Sequence, residues 1–121
     1  MTPREAALFA VKQGDIIHGT SPKGASLICL VTSVTETEIH ARTVTHQLSF
    51  VFDRRTGHGE EPEHSMKGII DSVARLPADI HEAIVRFDQR YHAGDDGPPR
   101  PEERRALKFT DDFYPEHPLL P

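Results

Sequence analysis

The sequence predicts a small, mainly β domain with α: an antiparallel five-stranded barrel or curled sheet, with one short helix before it and two helices after it. Segments rich in Thr, Val, Ile and Phe recur up to position 76, with turn residues between them. After Leu76 the apolar period changes from two to about 3.6, which favours helices. A chain of 121 residues suits one hydrophobic core. We therefore predict a single domain, 1–121, with a β core over about 14–76 and a helical extension over about 77–121.

The first residues predict a capped helix. Thr2-Pro3-Arg4-Glu5 has the pattern of a capping box with proline at the first helical position. The helix should run from about Pro3 to Val11 and end at Gly14, and "DIIHGT" after it is typical of a strand.

Turn residues then separate three more strands. Ser21-Pro22-Lys23-Gly24 matches a type I turn. The following "ASLICLVTSV" is apolar on both alternating sets, which indicates a central strand covered on both faces. "TEIHARTVTHQ" alternates polar and apolar residues as a strand with one wet face does, and "LSFVFD" points Leu48, Phe50 and Phe52 one way.

The stretch from residue 53 to 76 is less regular. Asp53 to Gly57 has the residues of a type I turn followed by a glycine at the positive-φ bulge position. The next strand signal is "GIIDSVARL", from Gly68 to Leu76, so His58 to Lys67 is either a frayed continuation of a strand or a polar excursion.

Two helices and an extended tail follow. The apolar stripe in "PADIHEAIVRFDQRYH" predicts a helix from about Ala78 to His92 that lies against the sheet. Pro101-Glu102-Glu103 should start a second helix that reaches about Tyr114. "PEHPLLP" should be extended and pack as a strap through Leu119 and Leu120.

Composition narrows the function. The net charge of -5 lies in the second half of the chain, because Lys and Arg balance Asp and Glu over residues 1–60. A chain with this balance binds nucleic acid poorly unless its basic residues converge. One cysteine, no long apolar run and no secretory signal lead us to expect a cytoplasmic protein without a disulfide or a membrane segment.

No motif predicts catalysis or a cofactor. Gly19 to Ser26 has the glycine spacing of a phosphate-binding loop but lacks its lysine, and "HEAIV" lacks the second histidine of a zinc-protease helix. Cys29 lies in the most apolar strand, where a thiol is usually a buried hydrophobe. Asp88 and His92, four residues apart, are expected to pair on a helix surface.

A metal site has only weak candidates. His58 and His64 flank the glutamates of residues 60–63 in a segment that is expected to be flexible. Two imidazoles and a carboxylate of this segment could together enclose a zinc ion. Their spacing matches no established motif, so we expect no metal ion and no other cofactor. A small metal-dependent hydrolase remains an alternative that these two histidines leave open.

A basic surface is the remaining positive signal. If the strand around residue 42 neighbours the one that ends at Asp53, five cationic or titratable side chains could collect on one side of the barrel: Lys23, His40, Arg42, Arg54 and Arg55. Arginine is well suited to bidentate contacts with carboxylate or phosphate. We take this set as the candidate binding residues, with scattered surface charges as the simpler interpretation.

The pattern resembles small five-stranded barrels of the SH3-like kind, extended by two C-terminal helices. That resemblance implies binding of peptides, other domains or nucleic acid through loops and a strand face. With no catalytic constellation in the sequence, we expect a non-enzymatic interaction module: an accessory, regulatory or inhibitory protein that binds another protein. The alternative is nucleic-acid binding through the side of Arg42, Arg54 and Arg55.

Overall fold

The computed structural model describes every residue from Met1 to Pro121. Six strands lie between a short N-terminal helix and two longer C-terminal helices. Their bounds are α1 Pro3–Phe9, β1 Ile16–Thr20, β2 Ser26–Val34, β3 Glu38–Thr43, β4 Ser49–Asp53, β5 His58–Glu61, β6 Met66–Ser72, α2 Ala78–His92 and α3 Pro101–Phe113, with a 3-10 turn at Tyr114–Glu116. None of the helices combines the length and the hydropathy that a bilayer crossing requires.

The strands close into an antiparallel barrel in the order β1-β2-β3-β4-β5-β6, with β6 pairing back onto β1. The predicted mainly β class with flanking helices is confirmed, but the predicted number of five strands is wrong. The additional strand is β5, in the stretch "HGEE" that the sequence left as a frayed continuation or an excursion. This stretch contains no β-branched, aromatic or aliphatic residue, so no local propensity signals a strand there.

Pairing on both sides makes β5 a strand. Val51 of β4 lies opposite Glu60, and residues 58–61 pair in unbroken register with residues 66–69 of β6. The inward position Gly59 lies against the ring of Phe52, where a Cβ atom would come within 2.3 Å of the ring carbon Cδ1. The core ring thus occupies the space that a side chain on β5 would need.

Predicted local motifs recur in the structure. Thr2 and Glu5 form the capping box at the start of α1, although the helix ends at Phe9, two residues before the predicted Val11. The Gly24 amide donates to the Ser21 carbonyl at 2.9 Å, as the type I turn requires. After β4, Gly57 has φ of +81° and its amide donates to the Asp53 carbonyl, which confirms the turn with a bulge glycine.

The barrel encloses an apolar core. Alternating residues of β2, β3 and β4 point inward, and the fully buried rings of Phe50 and Phe52 stack at 5.5 Å. Leu8 and Val11 join the same cluster from the N-terminal segment, and Leu119 of the predicted C-terminal strap packs against it. Leu120, expected to pack as well, is 64% exposed. Each large side chain buried here contributes about 1.5–3 kcal/mol.

A second cluster lies outside the barrel wall. Ile84 and Phe87 of α2 pack with Ile16 of β1, and α3 adds Ala106. Because β2 supplies Ile28 and Leu30 to this layer while its other face fills the core, the predicted coverage of β2 on both faces is confirmed. The helices of this layer are joined by an ion pair between Arg90 and the buried Glu103.

Arg90 binds Glu103 with two guanidinium nitrogens, and the Arg100 amide donates to the same carboxylate. These contacts hold the pKa of Glu103 below its ordinary value, chiefly through the bonds from Arg90. The carboxylate is therefore charged within the α2–α3 contact and fixes where α3 begins.

Replacing Gly59 tests the assignment of β5. We expect Gly59→Ala to lower the free energy of unfolding by about 1–3 kcal/mol, because the new methyl group overlaps the buried Phe52 ring. Gly97→Ala is the matched control: its Cβ meets only the Asp95 carboxylate oxygen at 3.2 Å, and we expect a change within about 0.5 kcal/mol. Urea unfolding measures both, and equal effects would contradict the inward position of Gly59.

Candidate functional site

Arg42 is engaged in a contact between the barrel and α2. Its Nε and Nη2 atoms donate to the two carboxylate oxygens of Asp88 at 3.0 and 2.7 Å, and the amide of Gln47 donates to Asp88 at 3.0 Å. Asp88 is fully buried, so the predicted surface pair with His92 is wrong: His92 instead contacts the side-chain oxygen of Gln47. The bidentate pair holds α2 on β3 and leaves Arg42 little capacity for a ligand.

Arg54 is engaged at the opposite end of the β3–β4 pair. Its Nη2 atom donates to the Phe9 and Val11 carbonyls at 2.8 and 2.9 Å, and Nη1 donates to the Thr35 carbonyl. The guanidinium carbon also lies 5.2 Å from the centroid of the Phe9 ring. One guanidinium group therefore donates to carbonyls at the end of α1 and in the β2–β3 turn. The carbonyls at the end of a helix have no partner within the helix, so Arg54 supplies one for them.

The other residues of the predicted basic surface are exposed or weakly paired. Arg55 is 79% exposed and lies 3.7 Å from a carboxylate oxygen of Glu5. His40 contacts Glu38 at 3.1 Å, and Lys23 is exposed in the β1–β2 turn. Since Arg42 and Arg54 lie at opposite ends of one strand pair, the fold does not bring the predicted arginines into one cluster.

The two weak metal candidates, His58 and His64, do not lie in one group of possible ligands. His64 lies with Glu61 and Glu63 in the β5–β6 turn, where the buried Glu61 carboxylate accepts the amides of Glu63 and His64 and faces the imidazole Nδ1 at 3.0 Å. These contacts lock the turn, as carboxylates commonly do by accepting nearby backbone amides. His58 is exposed on β5 and is not part of this group.

Cys29 is fully buried in the barrel core. Burial raises the pKa of its thiol to about 12, so the thiolate is not formed at neutral pH. The expectation that Cys29 is a buried, hydrophobic residue is confirmed.

A groove between α1 and α2 forms a concave surface with a volume of about 880 Å³. Nine of its 15 lining residues are hydrophobic. Its apolar lining comes from both helices, the barrel wall and the segment after β6: Ala7, Ala10, Leu30, Val73, Leu76 and Val85.

The side of α2 that lines the groove is distinct from the side that faces the core. Ala78, His81, Glu82 and Val85 follow the i, i+3, i+4, i+7 spacing of one helical face, next to the buried stripe. This face was not predicted from the sequence, because the strong apolar stripe that contains Ile84 and Phe87 accounts for the helix by itself. A second stripe with Ala78 and Val85 at the same spacing was the available signal.

Two charged residues that line the groove have no partner within the chain. Arg75 and Glu82 line the groove and form no ion pair or side-chain hydrogen bond, whereas Arg42, Arg54 and Arg90 are each bound by at least two acceptors. The groove thus combines an apolar floor with free charges of both signs.

The chain matches no protein-family model, no curated protein and no solved structure at a significant level.

The two neighbouring arginines of the β4–β5 turn provide a test of this assignment of roles. We expect Arg54→Ala to lower the free energy of unfolding by about 2 kcal/mol or more, because three carbonyls lose a charged donor. Arg55→Ala removes an exposed side chain with one long ion pair, and we expect a change within about 0.5 kcal/mol. Chemical unfolding of the two variants measures the difference between their free energies of unfolding. If both changes are small, Arg54 is not held by the three carbonyls and is available to bind a ligand.

Proposed function

We propose that the chain is an interaction module that binds another protein through the groove between α1 and α2. The observation that carries the proposal is the apolar groove edged by unpaired charges. The occupant is an amphipathic helix of the partner, with apolar side chains directed into the groove and an acidic residue beside Arg75. An accessory, regulatory or inhibitory role follows from such binding.

Two features support a helical occupant. The groove already lies between two helices, so a third helix would complete a helical layer against them. Small residues line its sides: Ala7 on α1, Ala10 directly after α1 and Ala78 on α2. They permit close approach of another helix carrying large side chains. Helix-in-groove recognition of this kind takes its affinity from a few apolar anchors spaced along the bound helix.

Charge supports the same kind of partner. Arg75 is exposed, and an acidic side chain on the occupant would complete an ion pair that the chain itself lacks. Glu82, in turn, suits a lysine or arginine of the occupant. Pairs at the edge of an interface contribute more to orientation and specificity than to affinity.

The nucleic-acid alternative has fewer available cations than the sequence suggested. Arg42 and Arg54, two of its three arginines, are bound within the chain, and the balance of the whole chain is acidic.

Capture of the partner tests the groove directly. Tagged protein would be exposed to lysate of the cells that naturally produce it, with and without nuclease, and the retained material quantified for the wild type, Ala10→Lys and Ala6→Lys. Both alanines are exposed on or next to α1, but only Ala10 lines the groove. We expect one protein retained in both nuclease conditions, reduced at least about tenfold by Ala10→Lys, since about 1.4 kcal/mol is enough for that change, and unaffected by Ala6→Lys.

Charge reversal provides the second comparison. Arg75→Glu should weaken retention of the same protein, and Arg86→Glu, an exposed position of α2 outside the groove, should not. Equal retention by both lysine variants would contradict the groove as the site. Material retained only without nuclease would favour nucleic acid instead, and no retained material would contradict binding.

A further inference from the structure

Ser26, His18 and Asp71 form a hydrogen-bonded line across β2, β1 and β6. The Nδ1 atom of His18 lies 2.6 Å from the Asp71 carboxylate oxygen Oδ1, and Nε2 lies 3.2 Å from the Ser26 hydroxyl oxygen. The groups are arranged in the order hydroxyl, imidazole, carboxylate. In this order the imidazole can take the proton of the serine hydroxyl while the carboxylate orients the imidazole. Because the three residues come from separate strands, no sequence motif contains them.

A strand irregularity places Asp71 at this position. His18 lies opposite Ser72 and Gly19 lies opposite Ile70, so Asp71 is the extra residue of a bulge in β6. Bulges redirect side chains, and here the carboxylate faces the imidazole. The Asp71 backbone carbonyl accepts the Leu119 amide at 2.8 Å, which ties the C-terminal strap to the bulge.

The contacts define the tautomer of His18. Since the Asp71 carboxylate accepts a hydrogen bond, Nδ1 carries the proton in the neutral ring. Nε2 then has a free lone pair and accepts the hydrogen bond that the Ser26 hydroxyl donates. This is the state in which an imidazole can remove a proton from a serine.

Further contacts hold the imidazole and the carboxylate. The Thr20 hydroxyl donates to the second oxygen of Asp71, and the ring of Tyr114 stacks on His18 with centroids 4.9 Å apart. Burial raises the pKa of Tyr114, so this ring stays neutral beside the pair. His18 is 8% exposed whereas Ser26, the first residue of β2, is exposed, so the imidazole is enclosed and the serine is open to a reagent.

We propose that Ser26 is a nucleophilic residue, and that it takes an acyl group from activated acyl esters to form an acyl-serine. The Ser26 oxygen forms a bond to the ester carbonyl carbon while its proton passes to His18 Nε2. The ester C–O bond then breaks and the leaving alcohol takes the proton from Nε2. Water then forms a bond to the acyl carbon while one of its protons passes to Nε2. The bond between the acyl carbon and the Ser26 oxygen breaks, Ser26 regains a proton from Nε2, and the acid is released. Esters with good leaving groups need the least stabilisation of the developing negative charge.

The proposal is independent of the groove, and its test does not involve a protein partner. Purified chain would be treated with a fluorophosphonate probe, and the label located by peptide mass spectrometry. The Ser26 oxygen would form a bond to phosphorus, the P–F bond would break, fluoride would leave and the serine proton would pass through His18 to water. Release of nitrophenol from a nitrophenyl acetate ester would be followed in parallel.

We expect one label per chain, on Ser26, and none on Ser26→Ala. The matched control is Ser33→Ala: Ser33 is an exposed serine of the same strand that lies opposite His40 but makes no hydrogen bond to a histidine, and this variant should label as the wild type does. Asp71→Asn should label about a hundredfold more slowly, since general-base assistance contributes on the order of 10² to 10⁴ in rate. Asp79→Asn, an exposed aspartate away from the line, should not change the rate.

Circular dichroism and the thermal midpoint of each variant would establish that it is folded. Labelling that persists in Ser26→Ala, that falls on other residues, or that fails in the wild type would overturn the proposal. So would an Asp71→Asn protein that is folded and labels at the wild-type rate. If Asp71→Asn is unfolded, the location of the label and the Ser26→Ala result decide.

Discussion

The pairing of β1 with β6 closes the barrel, and the apolar core, the position of His18 and the C-terminal strap all rely on it. Gly19 permits this pairing, because a Cβ there would come within 2.9 Å of the Ile69 carbonyl oxygen. The pairing also contains the bulge at Asp71, so the carboxylate turns to the outer face and the freed carbonyl receives the C-terminal strap. Enclosure of the apolar core, placement of His18 and anchoring of the tail thus follow from the same few residues.

Three sets of charged contacts attach the helices to the barrel or to one another. Arg54 binds the end of α1, the Arg42–Asp88 pair binds α2, and the Arg90–Glu103 pair joins α2 to α3. Such contacts need good geometry to stabilise the fold, because burying a charge is costly. The groove edge differs, since its charges have no partner, and the proposed binding surface is therefore separate from the arginines that the sequence emphasised.

Local signals predicted much of the fold. The capping box, both turns, the period of β2 and the full extent of α2 follow from residues close together in the chain. Strand β5 could not be predicted, because "HGEE" becomes a strand only by pairing on both sides. The roles of Arg42 and Arg54 depend on partners tens of residues away. The Ser26–His18–Asp71 line depends on closure, which brings residues 53 positions apart within 2.6 Å.

Nuclear magnetic resonance of the His18 imidazole in the wild-type protein tests barrel closure and its chemical consequence together. We predict that the neutral imidazole carries its proton on Nδ1, that this proton exchanges slowly with water, and that the ring gives nuclear Overhauser contacts to β2, β6 and Tyr114. A ring protonated on Nε2 alone, or one with rapid exchange and no contacts to β6, would contradict both the bulged β1–β6 pairing and the orientation of His18.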